Sequence, residues 1–115
     1  MGNRVSIQFH NKESSFQEKS VVFFSHWDGT ILVENAKQYI KSLNDEEYDG
    51  VSDPLARREV GTIIVDFLRW MLTAGQEEDE GRVRSNYYLG VDENDGDNGD
   101  NGHFLIDVHT GEADR

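Results

Sequence analysis

The chain has 115 residues with 23 Asp and Glu against 11 Lys and Arg, one Pro and no Cys, a length that holds one domain around one core. Its net charge of −12 excludes the basic footprint of sequence-independent nucleic-acid binding and opposes docking on an anionic membrane. The absence of Cys excludes disulfides, thiolate nucleophiles and Cys-ligated metals, and is the usage expected of a cytoplasmic protein.

In chain order, Val5, Ile7 and Phe9 alternate with Arg4, Ser6, Gln8 and His10. That period of two predicts a half-buried strand. No apolar run near the N-terminus reaches signal-peptide or membrane-span length. Residues 11–18 are polar and read as a loop. Ser20 to Trp27 is β-branched and aromatic on both faces and reads as a central strand. The short connection makes these two strands an antiparallel hairpin.

Asp28-Gly29 breaks the strand, and from Thr30 the period changes. Leu32, Ala36, Tyr39, Ile40 and Leu43 form one helical stripe, with the helix ending near Asn44. Residues 45–52 read as an acidic loop. Asp53-Pro54 predicts a helix start, because Asp caps exposed N–H groups and Pro suits the first helical position. This second helix is expected to run to Ala74, with Gly75 as its stop. Its polar stripe is narrow, so it should be largely buried, and its wide apolar arc suggests a homodimer contact through residues 53–74. Gly61 inside it suggests a close approach to a neighbouring element.

Val83 to Val91 and Phe104, Ile106 and Val108 read as two more strands, joined by the loop Asp92–Gly102 and followed by a polar tail, 110–115. The expected order is β-β-α-α-β-β. It makes an α+β fold: two hairpins flank two helices, and a four-stranded, mainly antiparallel sheet carries helices on one face.

The charge is unevenly placed. Residues 77–115 hold 12 of the acids and 3 of the basic residues, a net of −9. Two runs dominate: Glu77, Glu78, Asp79 and Glu80, and then Asp92, Glu93, Asp95, Asp97 and Asp100. Such runs are ordinarily solvated loops; the sharper expectation is an acidic face that meets a basic partner.

The second run also crowds hard oxygen ligands into a Gly-rich turn, so Asp92, Asp95, Asp97 and Asp100 are candidate Ca²⁺ ligands. The spacing is not that of an EF-hand. Starting at Asp97, the third position is Gly99 and the twelfth is Val108; starting at Asp92, Asp97 stands where Gly is needed. His103, Asp107 and His109 share a strand face by parity, which reads as the wet side of a sheet. His26 beside Asp28 has the form of an oriented general base but lacks an accompanying nucleophile pattern. No phosphate-binding loop, nucleophile elbow, zinc-protease helix or dinucleotide motif is present. Tyr87, Tyr88 and Phe104 would suit base stacking, but the surrounding charge is of the wrong sign.

Gly2-Asn3-Arg4 with Ile7-x-Phe9, His26-Trp27-x-Gly29, and Asp100-Asn101-Gly102-His103-Phe104 together resemble a group of small uncharacterised tailed-phage proteins. Those begin with Gly-Asn-Arg, carry a His-Trp-x-Gly turn and end near an Asp-Asn-Gly-aromatic strand. The match covers a small part of the chain, and this sequence departs by expanding its Asp/Gly/Asn loop. The resemblance implies a mobile-element accessory protein without established activity. The leading expectation is therefore an interaction protein, acting as a nucleic-acid mimic or anti-defence (anti-CRISPR-like) inhibitor on a basic, nucleic-acid-binding host protein. The alternatives are a Ca²⁺-binding module and a small-molecule-binding oligomer.

Overall fold

The structure is a computed structural model and describes residues 2–13, 18–46, 53–73 and 86–115. In chain order it contains β1 (Val5–His10), β2 (Val22–Ser25), α1 (Ile31–Asp45), α2 (Val60–Thr73), β3 (Tyr87–Gly90), β4 (His103–Asp107) and β5 (Ala113–Asp114). The fold is α+β. Its five strands form one sheet in the order β3-β2-β1-β4-β5. The β1–β4 pair is parallel and the other pairs are antiparallel. The first hairpin forms as expected, with Val5 opposite Ser25 and Ile7 opposite Phe23.

The alternating residues of β1 build the core. Val5, Ile7 and Phe9 are fully buried, together with Phe23 of β2, Ile106 of β4 and Val108 just beyond it. The helices close over them. The predicted stripe of α1 is buried, with Val33 added to it. From α2 come Ile63, Ile64, Phe67 and Met71. Each such side chain contributes about 1.5–3 kcal/mol on burial. Phe67 is the centre: its ring lies edge-on to Phe9 at 5.3 Å, Tyr39 at 5.5 Å and Phe23 at 5.7 Å. The buried Tyr39 hydroxyl donates to Asp66 Oδ2 at 2.8 Å, tying α1 to α2.

Four expectations change. First, β3 and β4 do not form a hairpin. β3 pairs with β2, while β4 takes the other edge of β1. Two antiparallel steps separate β3 from β1, so β3, β1 and β4 run in the same direction. Asp92–Gly102 is therefore a crossover between parallel strands, which a tight turn cannot make and which takes about a dozen residues. Its Asn-Gly pairs mimic a hairpin signal. Second, the tail at 110–115 carries β5, whose Ala113 and Asp114 pair with Ile106 and Leu105. Among the described residues the sheet thus has five strands rather than four.

Third, Asp53-Pro54 starts a single turn. Asp53 Oδ1 accepts from the Leu55 amide at 2.9 Å. Arg58 then adopts φ 57°, with its amide bonded to Leu55 O and the Glu59 amide to Pro54 O. This is the closure that ends helices at a left-handed residue, so α2 begins only at Val60. The Arg58 guanidinium donates to Val108 O and to Asn44 Oδ1, bracing the strained residue against the ends of β4 and α1.

Fourth, Gly61 makes no close approach: a Cβ built there meets nothing within 4 Å. Gly61→Ala is therefore expected to raise stability by about 0.5–1 kcal/mol, since only the helical cost of Gly is removed. A denaturant midpoint that falls would refute this.

Most of the apolar arc of α2 is used within the chain. Trp70 packs on Tyr39 and Phe67, whereas Val65 is 64 % exposed. The expected helix end at Ala74-Gly75 and most of the expected loop at 45–52 lie outside the described residues, as does the acidic run at 77–80. Among the described residues no helix is long and apolar enough to cross a membrane.

Candidate functional site

The sheet face opposite the helices carries Ser6 and Gln8 of β1, Val22 and Phe24 of β2, Tyr88 and Gly90 of β3, and His103 and Leu105 of β4, by strand parity. The β4 positions expected on the wet side are not all wet: Asp107 is buried, and so is Ser6 beside His103. Val22 and Phe24 are fully buried as well, in keeping with a central strand apolar on both faces, and the acidic crossover lies across this part of the sheet. Tyr88 stacks on Phe24 with ring centres 4.9 Å apart, and the loop sits on that pair. A Cβ on Gly96 would come within 2.6 Å of the Tyr88 ring, and one on Gly90 within 2.8 Å of Asp95. These glycines permit close contact between loop and sheet.

The loop carboxylates have internal work. Asp92 Oδ1 accepts from the Asn94 amide at 2.7 Å, and Asp95 Oδ2 from the amides of Val91 and Asp92 at 2.7 and 2.9 Å. Asp97 Oδ1 accepts from the Gly99 amide at 3.0 Å, while the Asp97 amide donates to the Tyr88 hydroxyl. The Arg4 guanidinium then bridges Asp97 and Asp100, and its backbone amide also donates to Asp100.

The Gly99 amide and Arg4 hold Asp97 below the usual carboxylate range. The Arg4 amide and guanidinium do the same for Asp100, and the two carboxylates raise Arg4 in return. Both acids have folded-state values below their ordinary one. Their bracing is therefore complete above the ordinary carboxylate value and is lost as pH falls through the lowered ones. All five acids of the run remain exposed to solvent.

The Ca²⁺ expectation finds no assembled site. Asp92 and Asp95 cap turns at one end of the loop, Asp97 and Asp100 are bridged by Arg4, and among the described residues no group of three or more His, Cys, Asp or Glu could hold a metal ion. His103, Asp107 and His109 also point to separate tasks. Asp107 Oδ2 accepts from the amides of His109 and Thr110 and from the Thr110 hydroxyl, and the His109 ring faces Glu13.

Three segments far apart in sequence meet at one corner of the sheet. The Asn3 amide donates to His26 O at 2.7 Å, and Gly29 donates to Asn3 O at 2.8 Å. Gly29 has φ +58°, and any Cβ there would collide with the Asn3 side chain. The Asn101 amide group donates to Asn3 Oδ1 and Arg4 O. The residues singled out as Gly-Asn-Arg, His-Trp-x-Gly and Asp-Asn-Gly thus satisfy one another's polar groups.

Sequence reasoning missed the hub beside this corner. Asn86 is buried, and its Oδ1 accepts from the Ser25 hydroxyl and from the amides of His26 and Trp27 at 2.9–3.0 Å. Its Nδ2 donates to Asp28 Oδ1, and the Tyr87 hydroxyl donates to Asp28 Oδ2. Burial, reinforced by that carboxylate, pushes the Tyr87 phenol well up. Asp28 is occupied here and does not orient His26. The His26 ring instead lies 4.9 Å from Tyr88 and 5.6 Å from Trp27, and Trp27 is 46 % exposed. A lone Asn ahead of a strand carries no sequence signal for such a role.

The loop has one more anchor. Asn98 Nδ2 donates to Ser6 Oγ at 2.8 Å, and Ser6 Oγ lies 2.7 Å from His103 Nδ1. The pair has the form of a nucleophile and its base, with Ser6 fully buried beneath the loop. No family model matches the chain, and neither a curated protein nor a solved structure matches it.

Proposed function

We propose that the protein acts by protein–protein interaction, presenting the acidic crossover loop to a basic surface such as the nucleic-acid groove of a host protein. The observation that carries this reading is the bracing of the loop. Asp92, Glu93, Asp95, Asp97 and Asp100 are exposed, yet their spacing is set by Arg4, by the turn amides and by the Phe24–Tyr88 platform. A preordered loop avoids the ordering cost that a flexible acidic segment meets on binding. Complementary charge then gives fast, salt-sensitive association. Trp27, exposed beyond the end of β2 that lies beside Val5 and hence toward Arg4 and Asp100, offers a ring face to Arg or Lys. Glu77, Glu78, Asp79 and Glu80 add charge of the same sign in the same third of the chain. The resemblance to small phage proteins favours an anti-defence inhibitor or nucleic-acid mimic over a metabolic enzyme.

The test is displacement of DNA or RNA from nucleic-acid-binding host complexes in a gel-shift assay. The protein is expected to release nucleic acid at low salt and to lose that effect as salt rises. The double variant Asp92→Asn with Glu93→Gln keeps the Asp92 cap acceptor and should weaken release by about tenfold. Retention of nucleic acid by every complex at low salt refutes the proposal.

A further inference from the structure

We infer that His103 is a proton-controlled latch for the acidic loop: its neutral imidazole completes a hydrogen-bonded relay beneath the loop, and taking up a proton loosens the loop from the sheet. The inference concerns how the loop is attached and is independent of what the loop meets.

The direction of every bond in the relay can be worked out. Gln8 is 9 % exposed, and its Nε2 donates to Ser20 O at 2.7 Å. That carbonyl accepts only, so the Gln8 amide is fixed with Oε1 facing His103 Nε2 at 3.2 Å. His103 Nε2 must then carry the hydrogen, which leaves Nδ1 bare. Nδ1 is an acceptor for the Ser6 hydroxyl, and Ser6 Oγ in turn accepts from Asn98 Nδ2. The chain Asn98–Ser6–His103–Gln8–Ser20 is complete with each donor facing an acceptor.

A second proton on the ring would sit on Nδ1 and point at Ser6 Oγ. The serine hydrogen would then lose its acceptor in a fully buried position; Oγ itself can accept from both Nδ1 and Asn98 Nδ2, so the cost is that orphaned hydrogen. The serine hydrogen regains an acceptor when the Asn98 amide turns its Oδ1 toward Ser6, which breaks the Asn98 Nδ2 bonds to Ser6 Oγ and Glu93 O; the change falls on the exposed loop because Ser6 and Gln8 lie within β1, the strand paired on both sides. The facing charges are Glu93 and Asp92 from the loop and Lys19 from the connection between β1 and β2. Burial holds the ring below its ordinary 6.5, with Lys19 assisting and Glu93 and Asp92 opposing.

The sign follows. Loop closure is full above pH 6.5. It weakens as pH falls toward the lowered closed-state value, because the open form takes the proton that the closed form refuses.

The experiment is NMR of the full chain. Imidazole ¹⁵N shifts at pH 7.5 should report the Nε2–H tautomer for His103. Hydrogen exchange of the Gly102 amide, which donates to Asn98 O, should be followed from pH 7.5 to 5.5 with α1 amides as reference. After correction for intrinsic rates, Gly102 opening should rise by up to about tenfold, the ceiling for one proton with an open-state value near 6.5, while α1 holds. His103→Gln should make the Gly102 profile flat. His10→Gln should not, although burial lowers His10 as well. Ser6→Ala should move the His103 midpoint up toward 6.5, since the hydroxyl that favours the bare Nδ1 is gone. An Nδ1–H tautomer in the parent, a pH-independent Gly102, or a pH dependence that survives in His103→Gln overturns the inference. Should His103→Gln fail to fold, an unmoved midpoint in Ser6→Ala overturns it.

Discussion

Asn86→Ala is expected to cost about 3–5 kcal/mol of folding stability, among the largest single losses the chain can suffer. The Asn86 side-chain oxygen serves three donors; truncation strands the Trp27 amide and the Ser25 hydroxyl, while the His26 amide keeps the Asn86 main-chain carbonyl at 3.0 Å. A buried group left without its partner costs about 1–3 kcal/mol, and at 6 % exposure Asn86 leaves little room for water to substitute. The released Asp28 carboxylate loses a donor as well. Asn86→Asp separates the two halves of the role. It keeps Oδ1 for the three donors but places a carboxylate oxygen against Asp28, so it should be destabilising at neutral pH and recover part of the loss in mild acid, where one carboxyl of the pair is protonated. Chemical denaturation at pH 7 and pH 4.5 reads both effects. A loss below about 1 kcal/mol for Asn86→Ala would mean that the turn finds other acceptors.

Phe67→Ala should cost a similar amount, about 3–5 kcal/mol, by a different route. Its ring is fully buried and meets Phe9, Phe23, Tyr39 and Trp70. No single neighbour can fill the void, because those four rings come from β1, β2, α1 and the next turn of α2. Phe67→Leu should retain most of the stability, with a loss of about 1–1.5 kcal/mol. A reduced denaturant midpoint at unchanged slope is the signature of pure destabilisation. A Phe67→Ala loss no larger than that of Phe67→Leu would place the packing centre elsewhere.

Local pattern carried much of the fold. The alternation Val5-Ile7-Phe9 and the stripe Leu32, Ala36, Tyr39, Ile40, Leu43 follow from periods set by backbone geometry, and both elements lie where those periods put them. Strand partnership was not legible in the same way. Phe104, Ile106 and Val108 alternate whichever edge they join, and nothing local distinguishes a hairpin from a crossover when the connection is rich in Asn and Gly. The turn at Asp53-Pro54 misled for a related reason. Its capping chemistry is genuine, but the left-handed Arg58 is held by contacts to Val108 and Asn44, which only the tertiary fold creates.

The candidate site divides in the same manner. That the loop from Asp92 to Asp100 is charged and exposed is visible in composition. That it is fastened over Phe24, braced by Arg4 and tied through Asn98 to Ser6 depends on residues more than 60 positions away. The Ser6–His103 pair could not have been found by spacing, since the partners sit on parallel strands brought together by the crossover itself.

The parallel pairing of β1 with β4 has a consequence for how the chain reaches this structure during synthesis. β1 is the middle strand, yet one of its edges has no partner until residues 103–107 exist. While the intervening chain is made, the hairpin of β1 and β2 exposes a row of unsatisfied amides and carbonyls beside Val5, Ile7 and Phe9, a template on which another nascent chain could add. Contacts of such long sequence separation also form slowly. Repulsion between chains becomes strong only late in that interval, because nine of the acids lie between residues 77 and 102, the stretch made just before β4. The acidic excess would then protect the molecule before the loop has anything to bind.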